Sequence, residues 1–345
     1  MDRAAAALNG SGYAWQGAGV LDGRVEGAYA WLSVNYLLGR LPTATDAGGG
    51  GQSGGGGGGS AAVAAAAAGG AAASSFGAMD LGGGSLQVVR TVRGGEDAAS
   101  VAGAGAGDVV TLPVGGGAAS VVAFSYDGWG LGGGSARVLA ALDADGTLDE
   151  DNPCFPPSEL PHRVVVPSRG AGGERLPIVG AGDFRRCVDA AKRLVAPAFA
   201  GLPDGDEDGS EYVAFAHLYD RTVGVGLAEN ATLYEVWELG SRVCRGERTA
   251  DGYALPESVR NGERSRVCLE VAYVYALLRW GVKVGGGRLI FRQYVDGEML
   301  GWALGGLLVE GAGRGGSVTV GGVPVGGMAG WGGAKAEAAA GLLEG

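Results

Sequence analysis

The chain is short of the residues that build metal centres. It has two histidines, His162 and His217, and four cysteines, none in a C-x-x-C pair, in 345 residues. That supply argues against a zinc cluster. Long apolar runs are missing too: no stretch of about 18 uncharged apolar residues is present, and the alanine tract at 61–68 is too short and too weakly hydrophobic to span a membrane. The opening MDRAAAALNGSGYAWQG has no long apolar core after its first charges, so no signal peptide is expected there. Positive charge is scarce, with 26 Lys and Arg against 37 Asp and Glu and a net charge of -11. That balance excludes a nucleic-acid backbone as the expected partner. It leaves room for a small anionic ligand held by backbone N–H groups and a divalent cation.

What the chain has in excess is glycine, 72 residues, which reduces the share that can pack. Apolar residues still make up 46 %, a globular composition, so a folded body with soft inserts is expected. Three stretches read as low-complexity loops: about 46–75, about 93–119, and the tail 311–345. The acidic PDGDEDGSE at 203–211 lacks the alternating ligands of a calcium loop and reads as a solvated turn. The cysteines allow two disulfides, and Asn9-Gly-Ser and Asn230-Ala-Thr are acceptor triplets for glycosylation in a secretory lumen.

Between the inserts the periodicity is clear. EGAYAWLSVNYLLG spaces Tyr29, Leu32, Tyr36 and Leu38 as a helix capped by Gly39; FRRCVDAAKRLVAPAF and CLEVAYVYALLRWG read as two more amphipathic helices. SLQVVRTV, ASVVAFSY, RVVVPS and RLIFRQYV have the β-branched richness of strands. The alternation predicts an α/β domain with a mixed sheet covered by helices. Regular amphipathic helices also speak against a Gly-rich structural or wall-associated protein.

One glycine cluster stands apart because of its neighbours. GAMDLGGGSLQVVR, residues 77–90, reads as strand, tight turn, strand. The glycines are expected to let the turn adopt positive φ and to let a ligand approach bare backbone. Successive N–H groups of Gly82, Gly83, Gly84 and Ser85 could then surround a phosphate. Asp80, ending the first strand, could hold the water shell of Mg²⁺ or Ca²⁺, while Ser85 and Gln87 share a face under the period of two.

The pattern D-L-G-G-x-S-x-Q resembles the fourth signature region of the apyrase and nucleoside-diphosphatase family, the nucleoside triphosphate diphosphohydrolases. Other regions follow the family's order. LDGRVEGAYAWLSVNYLLGRL (21–41) resembles the third, with Val25 in place of a first glutamate and Glu26 at the position of the general base. FSYDGWGLGGGSARVLAAL (124–142) resembles the segment with G-[YF]-G-L before a helix, and DGEMLGWALGGLL (296–308) the fifth region, with Trp302, Leu304 and Gly305. Leu131 resembles the Golgi and plant branch. The stacking aromatic for the base would fall near YVAFAHLYD (212–220), where Asp220 takes the aligned position and Tyr219 stands beside it, so no base-binding residue is assigned.

The resemblance implies disulfides Cys154–Cys187 and Cys244–Cys268. It implies a ribonuclease-H-like lobe of the actin/hexokinase-like superfamily over 20–296, a remnant of a first lobe at 1–19, and a helix at 297–310 returning to that lobe. The implied activity is hydrolysis of the terminal phosphoanhydride of nucleoside di- or triphosphates. Water would be activated by Glu26 and held in line by Ser85 and Gln87, with Mg²⁺ or Ca²⁺ as cofactor. A Golgi, secretory-lumen or extracellular setting is implied, with a membrane-anchored full-length form. The family's signatures D-x-G-S-[ST] and A-T-A-G-[LM]-R are not among the 25 residues before Glu26. The expectation for these 345 residues alone is therefore weak or no phosphatase activity, and the alternative is a non-catalytic nucleotide-binding or scaffolding remnant.

Overall fold

The computed structural model describes residues 20–41, 75–92, 108–114, 117–158, 161–166, 175–202, 211–246, 264–284, 289–311, 318–320 and 323–324. The expected remnant at 1–19, nearly all of the insert at 46–75 and residues 203–210 of the acidic loop lie outside them. The elements that carry the argument are α1 (Gly23–Leu37), β1 (Gly77–Leu81), β2 (Ser85–Thr91), β3 (Val109–Val114), β4 (Gly117–Asp127), α2 (Leu131–Ala144), β5 (His162–Val165), β6 (Arg175–Ile178), α3 (Phe184–Ala198), β7 (Tyr212–Ala216), α4 (His217–Asp220), α5 (Leu233–Cys244), α6 (Val267–Ala276), β8 (Leu289–Phe291), β9 (Tyr294–Val295), β10 (Glu298–Met299), α7 (Trp302–Gly311), β11 (Thr319–Val320) and β12 (Val323–Pro324). Two compact units emerge, one from 1–76, 89–124 and 301–345, the other from 77–88 and 125–300.

In the first unit, α1 begins at Asp22, whose side chain accepts from the Arg24 amide at 2.9 Å and so satisfies an otherwise orphaned donor. The helix ends at Gly39, with φ +62, as the sequence predicts. Tyr29 and Trp31 are buried, core residues as their spacing indicates. Helix α7 lies against α1 so closely that a side chain on Gly305 would fall 1.9 Å from the Tyr29 carbonyl oxygen. The Gly305 amide donates to Ser33 Oγ at 2.7 Å. Strand β3 pairs antiparallel with β4 and with β11, and β11 with β12.

Those strands correct the sequence reading, which expected loops at 93–119 and beyond 311. Within VVTLPV, Val110 and Leu112 are buried while their neighbours Thr111 and Pro113 are half-exposed, the period of a strand. Averaging composition over the surrounding glycines hides this short alternation.

In the second unit, β1 and β7 are parallel with Asp80 opposite Phe215 and Leu81 opposite Ala216, and β7 is parallel to β8. Helix α6 is buried nearly all round and packs against α2, α3 and α5, so it forms the centre of the helical layer. Two disulfides fasten that layer: Cys154–Cys187 ties the loop after α2 to α3, and Cys244–Cys268 ties the end of α5 to the start of α6. Both pairings are those the resemblance implies. RLIFRQYV does not run as one strand. The Arg292 amide still donates to the Ala214 carbonyl of β7 at 3.0 Å; further on, an Asp296–Gly297 turn with φ 51 and 90 folds β9 onto β10.

Candidate functional site

Strand β1 delivers its end to Gly82, Gly83 and Gly84, and β2 resumes at Ser85; the Gly82 amide donates to the Ser85 carbonyl at 3.0 Å. The three turn carbonyls are all accounted for. Gly82 O accepts from the Leu131 amide at 2.9 Å, Gly83 O from Gly132 at 3.2 Å, and Gly84 O from Gly128 at 2.8 Å. Leu131 and Gly132 open α2, and their N–H groups would otherwise be the orphaned donors of a helix start.

This arrangement aims the turn. In a trans peptide the carbonyl and the following N–H point in opposite directions, and no cis peptide is present among the described residues. With the carbonyls of Gly82, Gly83 and Gly84 directed at the 128–132 backbone, the amides of Gly83, Gly84 and Ser85 face the other way. Gly83 and Gly84 are exposed. A row of amides presented from consecutive residues is an anion-binding concavity.

The turn glycines correct one expectation. None of Gly82, Gly83 and Gly84 takes φ in the left-handed region, so positive φ is not why glycine stands there. Packing is not the reason either: a side chain on Gly83 or Gly84 would meet nothing within 4 Å. On that side the turn presents bare, exposed backbone.

Opposite requirements govern the loop that holds the turn. A side chain on Gly130 would fall 2.5 Å from the backbone of Gly83, Gly84 and Ser85, and one on Gly133 would fall 2.3 Å from the Gly128 carbonyl oxygen. Gly128 itself has φ +75. One on Gly134 would meet the Tyr273 ring at 1.9 Å; the Tyr273 hydroxyl in turn donates to the Trp129 carbonyl at 2.6 Å. Burial pushes the Tyr273 hydroxyl well above its ordinary pKa, which keeps it a donor. Arg137 lies over the Trp129 ring, 4.8 Å from its centroid.

The structure brings Ser85 and Gln87 together: the buried Gln87 amide donates to Ser85 Oγ at 2.8 Å. Ser125 Oγ lies 3.5 Å from the same nitrogen. Asp80 is half-buried in β1, two residues before the turn. Glu26 lies in the first unit, half-buried in the first turn of α1, its amide bonded to the Asp22 carbonyl at 2.9 Å. A carboxylate there is favoured by the helix dipole. Within the same unit the buried Asn35 side chain accepts from the Phe76 amide at 2.8 Å and donates to the carbonyls of Phe76 and Trp31, tying α1 to the residue that leads into β1.

Two supporting residues of the second unit gave no signal in the sequence. Tyr273 reads as one aromatic among several in a buried helix. Gln293 reads as a strand residue, yet its Oε1 accepts from the Ala216 amide at 2.7 Å and its Nε2 donates to the Leu300 carbonyl at 3.3 Å. Ala216, in register with Leu81, has φ 54 and ψ -128, a conformation costly for a residue with a side chain. Only tertiary contact explains why it is held there.

An α/β chain whose strand ends in such a turn of amides has the construction of folds that take phosphate-bearing ligands. The chain belongs to the GDA1/CD39 (nucleoside phosphatase) family, whose pattern matches residues 11–312. It is similar to a guanosine-diphosphatase of Candida albicans, 26 % identical over 337 residues, covering 84 % of this chain and 50 % of that one. It is also similar to the ectonucleoside triphosphate diphosphohydrolase 8 of Bos taurus, 26 % identical over 330 residues, covering 88 % of this chain and 60 % of the relative. The chain therefore spans 50 % to 60 % of the length of these relatives. Among solved structures, nucleoside triphosphate hydrolases of Neospora caninum share the fold at TM-score 0.53 and 17 % identity, over 84 % of this chain and 64 % of the other.

Proposed function

We propose that the protein hydrolyses the terminal phosphoanhydride of nucleoside di- or triphosphates, with the amides of Gly83, Gly84 and Ser85 receiving the phosphoryl oxygens. The observation that carries this reading is the pair of turn glycines whose missing side chains neither φ nor packing requires. Membership of the nucleoside phosphatase family supports it, and favours turnover over the binding-only alternative.

In this reading Glu26 takes the proton of the attacking water, and Ser85, held by Gln87, orients that water. The new bond joins water oxygen to phosphorus, the bridging P–O bond breaks, and orthophosphate leaves a nucleotide shortened by one phosphate. Among the described residues no group of three or more His, Cys, Asp or Glu could hold a metal. A single half-buried carboxylate such as Asp80 suits a hydrated Mg²⁺ or Ca²⁺ that shares its shell with substrate phosphates. Such a cation would neutralise charge on the phosphoryl oxygens. A lumenal or extracellular setting fits the two disulfides. Among the described residues no helix is long and apolar enough to cross a membrane; a membrane anchor in a longer form belongs to the same proposal.

The test is phosphate release from GDP, UDP and ATP with Mg²⁺ or Ca²⁺, run beside calorimetry with a non-hydrolysable nucleotide. Glu26→Gln is expected to lower kcat on the order of 10²-fold or more while leaving nucleotide binding in place. Binding without turnover in the unmodified protein would establish the scaffolding alternative, and neither binding nor turnover would refute both.

A further inference from the structure

We propose that Asn230 is an N-glycosylation site whose first sugar covers Tyr234. The inference is independent of the hydrolase reading. It starts from three observations in the second unit.

Asn230 occupies an exposed turn closed by the Ala231 amide on the Ala228 carbonyl at 3.2 Å, and no other described residue engages its side-chain amide. Asn230-Ala231-Thr232 is an acceptor triplet with no proline at its centre. All four cysteines are paired, Cys154 with Cys187 and Cys244 with Cys268. That state belongs to an oxidising compartment, where the sugar donor is also found.

The third observation is Tyr234, 71 % exposed in the first turn of α5 and four residues beyond Asn230. No other aromatic among the large hydrophobics exposed in the described residues is as open; Tyr294 follows at 55 %. The C–H face of a pyranose is an apolar surface of suitable size for such a ring. A sugar on Asn230 removes both from water without touching the core.

In the transfer, the Asn230 amide nitrogen attacks C1 of an oligosaccharide linked to a polyisoprenyl diphosphate. The N–C1 bond forms, the C1–O bond breaks, the lipid diphosphate leaves, and the amide gives up one proton. Thr232 caps α5: its hydroxyl donates to Glu235 Oε2 at 2.8 Å and accepts from the Glu235 amide at 3.3 Å. Thr232 and Glu235 are both exposed, so a transferase that reads this hydroxyl has only a surface capping box to open.

The test directs the full chain into the secretory lumen of a eukaryotic host. Peptide mapping after amidase release of glycans in heavy-oxygen water then localises any modified asparagine, which separates Asn230 from Asn9. Occupancy is expected at Asn230, retained in Thr232→Ser and lost in Asn230→Gln and in Thr232→Asp, which keeps a helix cap. Tyr234→Ala is expected to lower Tm by about 1–2 °C more in the glycosylated protein than in the Asn230→Gln background. An unmodified Asn230 in every secreted molecule overturns the site, and equal Tyr234→Ala effects in both backgrounds overturn the covering of the ring.

Discussion

The two glycine clusters of the second unit, 82–84 and 128–134, look alike in sequence and are opposites in structure. In the later cluster, Gly130, Gly133 and Gly134 each sit where a side chain would collide with protein at 2.5 Å or less, and Gly128 holds a positive φ. In the earlier cluster, Gly83 and Gly84 face open space with ordinary φ. One set is glycine because of what the protein packs against it. The other is glycine because of what the protein leaves empty. At Gly83 and Gly84 the open space coincides with amides turned outward by their neighbours' hydrogen bonds, and the proposed ligand would approach there.

The comparison is open to breaking. Gly83→Ala and Gly84→Ala should lower nucleotide hydrolysis on the order of 10²-fold, the scale of spoiling one preorganised charge-stabilising contact. Their unfolding free energies should stay within about 0.5–1 kcal/mol of the parent, since glycine-to-alanine in open backbone changes stability little. A large loss of stability in either would show that the turn is structural after all. Gly130→Ala and Gly134→Ala should do the reverse and lose about 3 kcal/mol or more in denaturant melts through overpacking. Tolerance of alanine at both positions would erase the distinction.

Two smaller effects sharpen it. Tyr273→Phe removes the hydroxyl that fixes the Trp129 carbonyl and should cost about 1–1.5 kcal/mol in the same melts. The hydroxyl's raised pKa means this contribution is complete below pH 10 and fades only as pH climbs beyond it. The smallest effect lies at the helix start that carries Glu26. The Arg24 side chain, against desolvation and with help from the Arg24 amide, holds the Asp22 carboxyl below its ordinary range. Its share of stability is therefore present above the usual carboxylate value and is lost as pH falls through the lowered one. Asp22→Ala should cost about 1 kcal/mol at neutral pH, the worth of a helix cap. That difference should shrink on acidification, and a difference that held constant down to strongly acid pH would remove Asp22 from the account.

Local pattern made most of the elements readable. The helices near Glu26, Cys187 and Cys268 and the hairpin around the turn follow from apolar spacing, capping residues and β-branched runs, and all are present. β3 and the β11–β12 pair left no such trace, because they lie in stretches whose average composition is that of glycine-rich loop. RLIFRQYV has strand composition throughout, but only as far as Arg292, whose amide donates to the Ala214 carbonyl, does it follow the ladder; Gln293 uses its side chain instead to accept from the Ala216 amide. Side-chain partners far apart in sequence, such as Gln293 with Ala216 or Tyr273 with Trp129, leave no periodic trace. Gln87 with Ser85 was legible because two residues apart in a strand is the same face.

By itself, the amino-acid order determined the family, the type of most helices and strands, and the positions of the glycine turn and its flanking Asp80, Ser85 and Gln87. Those are matters of local spacing and of residue types short-range chemistry can read. Tertiary structure alone decided which glycines are packed and which face open space, and which way the turn's amides point. The reason is physical: a glycine's role depends on the atoms its absent side chain would have met, and those atoms belong to residues far away along the chain.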